Sequence, residues 1–340
     1  MSGPSVGWLR WAAILLLFTA PAASAAPAQI LGYYTQDGTS PRSLKTYHGF
    51  FNQMATDCYS VGRAGKIAGT VPPGDLAFAR SQKMQTFATI SNYAGSDFNA
   101  DIAHAIMTSP AVTQTFIDNV TKLLAASHYT GLNLDFESIP AADRKVFTAF
   151  VQTVSDKMRQ AGYLTVLSVP AAENDDPTNS WTGAFDLKAL GAAADVVQLM
   201  TYDENGPWGS PGPVAGLDWV EACVRYAVTV VPAGKISLGV PAFAYDWDLS
   251  DSHHNAQLPW IAIAPLIAKF NGVAHWDASS SSPNFSYTQN GHRHIVWHEN
   301  EKSICLKAQL AAKYKLAGVS VYALGQEDDS FWKAIHSAGF

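Results

Sequence analysis

Eight short runs rich in β-branched and aromatic residues recur along the 340-residue chain, separated by longer segments of helical period. That rhythm fits few folds other than a closed parallel sheet with helices outside it. The runs cover residues 30–34, 54–61, 84–91, 131–137, 164–170, 195–202, 235–243 and 317–324. Eight is the number that closes a (β/α)8 TIM barrel, and the length suits one such barrel with an insertion. Between the runs, residues 111–127 place Val112, Phe116, Val120 and Leu123 or Leu124 on one helical face, and residues 141–160 do the same with Val146, Phe150, Val151 and Val154. Residues 219–230 and 303–314 read likewise. The rhythm breaks between about residues 246 and 301, a stretch too long for a loop. Within it, residues 260–270 read as a helix, while 285–287 and 293–297 flank Asn290-Gly291, a strong hairpin signal. The expectation is an α/β barrel with a small α+β insertion between the seventh and eighth strands, on the active face.

The fourth run, Gly131-Leu132-Asn133-Leu134-Asp135-Phe136-Glu137, alternates large apolar residues with polar ones. In a strand, Asn133, Asp135 and Glu137 share one face and Leu132, Leu134 and Phe136 the other. A strand in a barrel buries both faces, and two buried carboxylates cost several kcal/mol unless hydrogen bonds or a substrate use them. An edge strand with its polar face in water would avoid that cost, but a helix-like segment follows at once, as in a β/α unit. Residues at the C-terminal ends of barrel strands line the active face, and Glu137 is the last residue before that helix. The second carboxylate, two residues away, supplies the like-charge pressure that lets a carboxyl hold its proton near neutral pH.

Charged residues make up 15% of the chain and the net charge is −6, so no basic footprint for nucleic acid or polybasic membrane anchor is present. Residues 1–25 read as a secretory signal: Arg10 precedes an apolar run over 11–18, and small residues end in Ala23-Ser24-Ala25. The run is short for a membrane span, no cysteine lies near the cleavage point, and Arg10 has no twin. A secreted or periplasmic, soluble, monomeric mature protein is expected, with residues 29–340 as its catalytic barrel. Cys58, Cys223 and Cys305 are too scattered for a disulfide framework or zinc motif and read as small buried side chains. His253, His254, His292 and His294 invite a metal reading, but no third ligand lies at useful spacing in the sequence, so they read as solvated surface. Neither metal nor cofactor is expected.

The acidic run, the phrase Met200-Thr201-Tyr202-Asp203 and the exported context together resemble glycoside hydrolase family 18. The family's Asp-Gly-x-Asp-x-Asp-x-Glu strand reads here as Thr130 through Glu137, and its Met-x-Tyr-Asp element is matched in full. The likeness spans nearly all of the mature chain. It is nearest to the spore-cortex lytic N-acetylglucosaminidase branch, which has a similar Asn in place of the middle Asp and similar phrases to Gly239-Val240-Pro241, 294–299 and 318–325.

The resemblance implies a substrate-assisted mechanism, in which the sugar's own 2-acetamido oxygen attacks the anomeric carbon. It makes Glu137 the general acid and then the base, Asp135 the group that orients the acetamido, and Tyr202 its hydrogen-bond partner. Asn133, Met200, Asp203 and Tyr33 then line the sugar site. Tyr322 stands where the wider family often has a tryptophan floor, a tyrosine offering less area for stacking. Asn133 cannot share a proton with Asp135 as a second carboxyl would, although it can hydrogen-bond to it. Trp208 and Trp247 follow strand ends and can form sugar platforms, and Glu299 in the insertion can reach the cleft. The expected partner is an N-acetylglucosamine-containing polysaccharide, peptidoglycan or chitin-like. The alternative is a non-catalytic chitinase-like carbohydrate-binding protein on the same fold.

Overall fold

The computed structural model describes residues 28–36 and 38–339, together with Met1 and Gly3. The leader expected over residues 1–25 lies, apart from Met1 and Gly3, outside the described residues. Eight parallel strands close on themselves: β1 (Gln29–Thr35), β2 (Gln53–Val61), β3 (Gln85–Ser91), β4 (Gly131–Asp135), β5 (Leu164–Pro170), β6 (Val196–Met200), β7 (Ile236–Pro241) and β8 (Gly318–Tyr322). Each pairs with the next, and β8 returns to β1 with Ile30 beside Val319. The fold is the expected TIM barrel. A short antiparallel strand, Ile67–Gly69, adds to the outside of β2.

The reason the barrel forms is visible in the alternation. Outward-facing Leu132, Leu134, Leu167, Val197 and Leu238 join the large apolar layer against the helices, whereas Leu31, Tyr33, Ala55, Phe87 and Val166 fill the barrel interior. Helices Pro110–Ser127 and Arg144–Gln160 supply Phe116 and Phe150 to the outer layer. Among the described residues no helix is long and apolar enough to cross a membrane. The three cysteines are free thiols, with Cys223 buried and Cys58 and Cys305 half-buried.

The insertion is a five-stranded antiparallel sheet with a helix, Trp260–Phe270, on one side. Its strands are Phe243–Asp248, Ala256–Pro259, His275–Asp277, Ser282–Gln289 and His292–Trp297. It begins at Phe243 instead of about residue 246, because the apolar run continues from β7 through Ala242 with no break in composition to mark the change of sheet. The Asn290-Gly291 turn takes positive φ at both residues, 52° and 84°, as a two-residue hairpin requires. One face of this sheet, carrying Phe243, Tyr245, Trp247, Ile295 and Trp297, packs against Tyr202 and Tyr322 at the C-terminal mouth of the barrel.

Candidate active site

β4 turns Leu132 and Leu134 outward, and Phe136 just beyond it packs on Phe116 and Phe150 with ring centroids 5.9 and 5.6 Å apart. Asn133 and Asp135 consequently point into the barrel. The strand ladder stops at Asp135, two residues short of the expected end. Asn92, fully buried just after β3, takes over there. Its Oδ1 accepts from the Glu137 backbone N–H at 2.9 Å, and its Nδ2 donates to the Glu137 carbonyl at 2.9 Å. Ser138 then turns the chain away with φ of 55°. This side-chain clamp replaces the ladder and fixes the backbone of the acid. Asn92 carries no local signal in the chain, because the contact spans 45 residues.

Beneath the carboxylates lies a polar layer. Thr89 donates to Asn133 Oδ1 at 3.2 Å, and Asn133 Nδ2 donates to the Ser168 hydroxyl at 3.0 Å. Tyr33 shares the same hydroxyl at 3.4 Å, and Gln198 donates to Ser320 at 3.1 Å. Among the described residues no hydrogen bond joins Asn133 to Asp135, contrary to expectation. Asn133 spends its amide on Thr89 and Ser168, and Ser168 is the link between the two side chains. This arrangement leaves Asp135 Oδ1 buried without a partner.

Four carboxyls converge at the mouth: Asp57 from β2, Asp135, Glu137, and Asp203 after β6. Burial, and after it the charge of Asp57, pushes the Asp135 carboxyl up to about 8. Burial followed by the charges of Asp135, Asp203 and Asp57 holds Glu137 well above the ordinary carboxylate range. Asp203 is flanked by protein but keeps a face to solvent, and burial lifts it to about 6 against the opposing Tyr245 hydroxyl, which donates to it at 2.8 Å. Among the described residues no cationic group offsets any of the four. Asp57 was not foreseen. It sits in an expected strand, but only barrel closure carries β2 to the side of β3 and so toward β4.

Tyrosines surround the acids. The Tyr322 ring lies 5.7 Å from that of Tyr33 and 6.0 Å from that of Tyr202, and its hydroxyl donates to Asp57 Oδ2 at 3.2 Å. Burial raises all three phenols, so each stays protonated as a donor. Among the described residues no hydrogen bond ties down the Tyr202 hydroxyl. Gly239 makes room for that ring: a Cβ there would stand 2.9 Å from Tyr202 Cε1 and 2.5 Å from the Leu199 carbonyl oxygen. Met200 ends β6 half-buried beneath them.

Two expected site residues lie elsewhere. Trp247 is 1% exposed, and its indole N–H donates to the carbonyls of Gly206 and Gly209, so it is a buried brace behind Tyr245 instead of a platform. Glu299 does not open to the cleft, because the buried Lys307 ammonium binds it at 2.7 Å. Both side chains of this pair are buried, which the local sequence did not disclose. Trp208, by contrast, is 72% exposed, and its ring edge meets Tyr245 at 6.0 Å. Tyr93 and Trp181, exposed on the loops after β3 and β5, are further aromatics of the same face that sequence reading passed over.

The arrangement can hold one carboxyl protonated beside an ionised one, with phenolic donors around them and an unpaired acceptor waiting for a donor. The profile of the glycosyl hydrolases family 18 matches residues 29–327. An uncharacterized glycosylase of Bacillus subtilis is 39% identical over 330 residues, covering 96% of each chain. The cortical fragment-lytic enzyme of Bacillus cereus is 24% identical over 89% of this chain and 73% of its own. Among solved structures, a chitinase from Chromobacterium violaceum superposes with a TM-score of 0.87 at 37% identity, covering 92% of this chain and 98% of that one.

Proposed function

The chain belongs to glycosyl hydrolases family 18, and from that membership we propose that it is an exported, retaining hydrolase of β-linked N-acetylglucosamine in peptidoglycan or a chitin-like polymer. Membership makes it a glycoside hydrolase with a polysaccharide substrate. The observation that carries the finer reading is the Asp135 Oδ1 atom, buried at the barrel mouth with no donor. A buried acceptor is expected to find a partner, and the N–H of a substrate 2-acetamido group is a donor of the right kind. With that N–H on Asp135 and the Tyr202 hydroxyl on the acetamido carbonyl, the carbonyl oxygen is turned toward the anomeric carbon.

Glu137 then gives its proton to the leaving glycosidic oxygen as the C1–O bond breaks and the acetamido oxygen bonds to C1. The cationic oxazoline that results lies against Asp135, and its positive charge favours the ionised carboxylate over the protonated form that burial favours in the free protein. Water next attacks C1, Glu137 takes the water's proton, and the acetamido oxygen departs. Two inversions leave the configuration retained. The motif of Arg10, the apolar run and Ala23-Ser24-Ala25 supports export, and the mature protein acts as a soluble monomer on polymer lying across exposed Tyr93, Trp181 and Trp208.

The test is digestion of purified peptidoglycan and of chitin oligomers, with mass spectrometry of the products and a non-hydrolysable thiazoline as inhibitor. Competitive inhibition, and failure to cut oligomers de-N-acetylated in the cleaved sugar, are the expected outcomes. Efficient cleavage of fully deacetylated substrate, or a covalent glycosyl ester on any carboxylate, overturns the mechanism. Sugar binding without release of reducing ends leaves the carbohydrate-binding alternative.

A further inference from the structure

On the insertion, away from the four carboxyls of the barrel mouth, Asp248 meets two histidines that the sequence left as solvated surface. Asp248 ends the strand Phe243–Asp248, and its side chain is 1% exposed. Its Oδ1 accepts from the backbone N–H groups of Ser250 and Asp251 at 2.8 and 3.1 Å. That fixes the carboxylate and aims Oδ2 outward, where the Nδ1 atoms of His292 and His254 face it at 2.6 and 3.3 Å. The three donor atoms all lie within 4.8 Å of one another. His254 and His292 come from a loop turn and from the far side of the Asn290-Gly291 hairpin, and their side chains are 62% and 41% exposed, so an ion can reach the site from solvent.

The neighbouring Asp246 shows what a carboxylate already satisfied by the protein looks like. It takes the Tyr287 hydroxyl on one oxygen and His294 Nδ1 on the other at 3.1 Å, and the Tyr287 and His294 rings stack at 4.6 Å with little solvent access. Asp248 differs in that two imidazoles turn the same nitrogen toward one carboxylate oxygen. A divalent ion between them would use both Nδ1 lone pairs and the negative oxygen at once, with each ring proton moved to the solvent-facing Nε2. Donors in a tetrahedral zinc shell stand about 3.3 Å apart, so small side-chain rotations make the fit.

The geometry points to a binding site for a first-row divalent cation such as Zn2+, formed by Asp248 Oδ2, His254 Nδ1 and His292 Nδ1. Water completes the shell, or Asp251, whose Oδ2 is 3.7 Å from His254 Nδ1. The site is structural. It joins three separate segments of the insertion, and one of them is anchored to the cleft wall: Asn255 accepts from the Asp248 backbone N–H at 3.0 Å and donates to the Pro207 carbonyl at 2.8 Å, next to exposed Trp208. Such an ion therefore steadies the support of Trp208 without touching the four carboxyls at the mouth.

The test uses the full chain stripped with a chelator, reloaded with Zn2+, desalted and assayed for bound metal, with a thermal melt before and after loading. The site predicts about one ion per chain and a Tm rise of roughly 5 °C on loading at saturating metal. His254→Gln and His292→Gln should each lose the ion and the rise while melting like wild type when metal-free. His253→Gln, the adjacent exposed histidine outside the site, should keep both. Substoichiometric metal in the wild type, or equal binding by the His254→Gln and His292→Gln variants, overturns the proposal. Neither readout depends on glycosidase activity.

Discussion

Buried carboxylates are handled in opposite ways at the barrel mouth and in the insertion. At the mouth, Asp57, Asp135, Glu137 and Asp203 crowd together, and among the described residues no cation offsets them and one oxygen of Asp135 has no donor. In the insertion, every oxygen of Asp246 and Asp248 has a partner: a tyrosine, a histidine or backbone N–H groups. Glu299 is neutralised by Lys307 through Oε2, although its Oε1 is buried without a hydrogen-bond partner. Buried charge with no opposite charge beside it costs free energy, and the mouth carries that cost where the insertion offsets it with Lys307 and hydrogen-bond donors. In the proposed mechanism the mouth receives a donor and protonates a leaving group, while the insertion's carboxylates hold strands and loops together.

The largest effect expected from this contrast concerns Glu137. Glu137→Gln keeps the shape and the Asn92 clamp on its backbone but removes the proton donor, so kcat should fall at least about a hundredfold while the melting temperature is maintained. Steady-state rates on chitin oligomers alongside a thermal melt check it. Near wild-type turnover would place the acid elsewhere.

A middle-sized effect separates the two regions by stability. Asp135 is raised from the ordinary aspartate range to about 8 in the folded state, so across that window the native protein binds more protons than the unfolded chain. Its contribution to stability therefore worsens as pH rises from about 4 to 8. Asp135→Asn should raise Tm by about 2–4 °C at pH 8 and leave it nearly unchanged at pH 4. Asp246→Asn removes a charged acceptor from Tyr287 and His294 and should lower Tm at pH 8 by a similar amount. Scanning calorimetry at the two pH values decides, and the same sign for both variants at pH 8 would erase the contrast.

The smallest effect tests whether the mouth acts as one electrostatic unit. Asp57 raises both Asp135 and Glu137, so Asp57→Asn should lower both and move the alkaline limb of kcat/KM to lower pH by roughly half a unit to one unit. An unmoved limb would show that Asp57 only anchors Tyr322, to whose hydroxyl it is bonded.

Much of this was legible in the chain itself because strand alternation is local. The two-residue period alone puts Leu132, Leu134 and Phe136 on the helix side and Asn133 and Asp135 inside, whatever the rest of the molecule does. The eight apolar runs, the Asn290-Gly291 turn and the helix Trp260–Phe270 follow from equally local rules, and the motif at Glu137 carried the family with it. What the chain could not disclose are contacts between segments distant in sequence. Asn92 holds Glu137 across 45 residues, and Asp248 meets His292 across 44. Trp247 and Trp208 look alike as isolated aromatics after strand ends, yet one is braced by the carbonyls of Gly206 and Gly209 and the other stands in solvent. Sequence determined which face of each strand a side chain occupies, since that depends on a residue and its two neighbours. Tertiary structure decided which faces meet, because barrel closure and the packing of the insertion on the mouth choose the partners, and partners decide whether a buried polar group is a site or a strut.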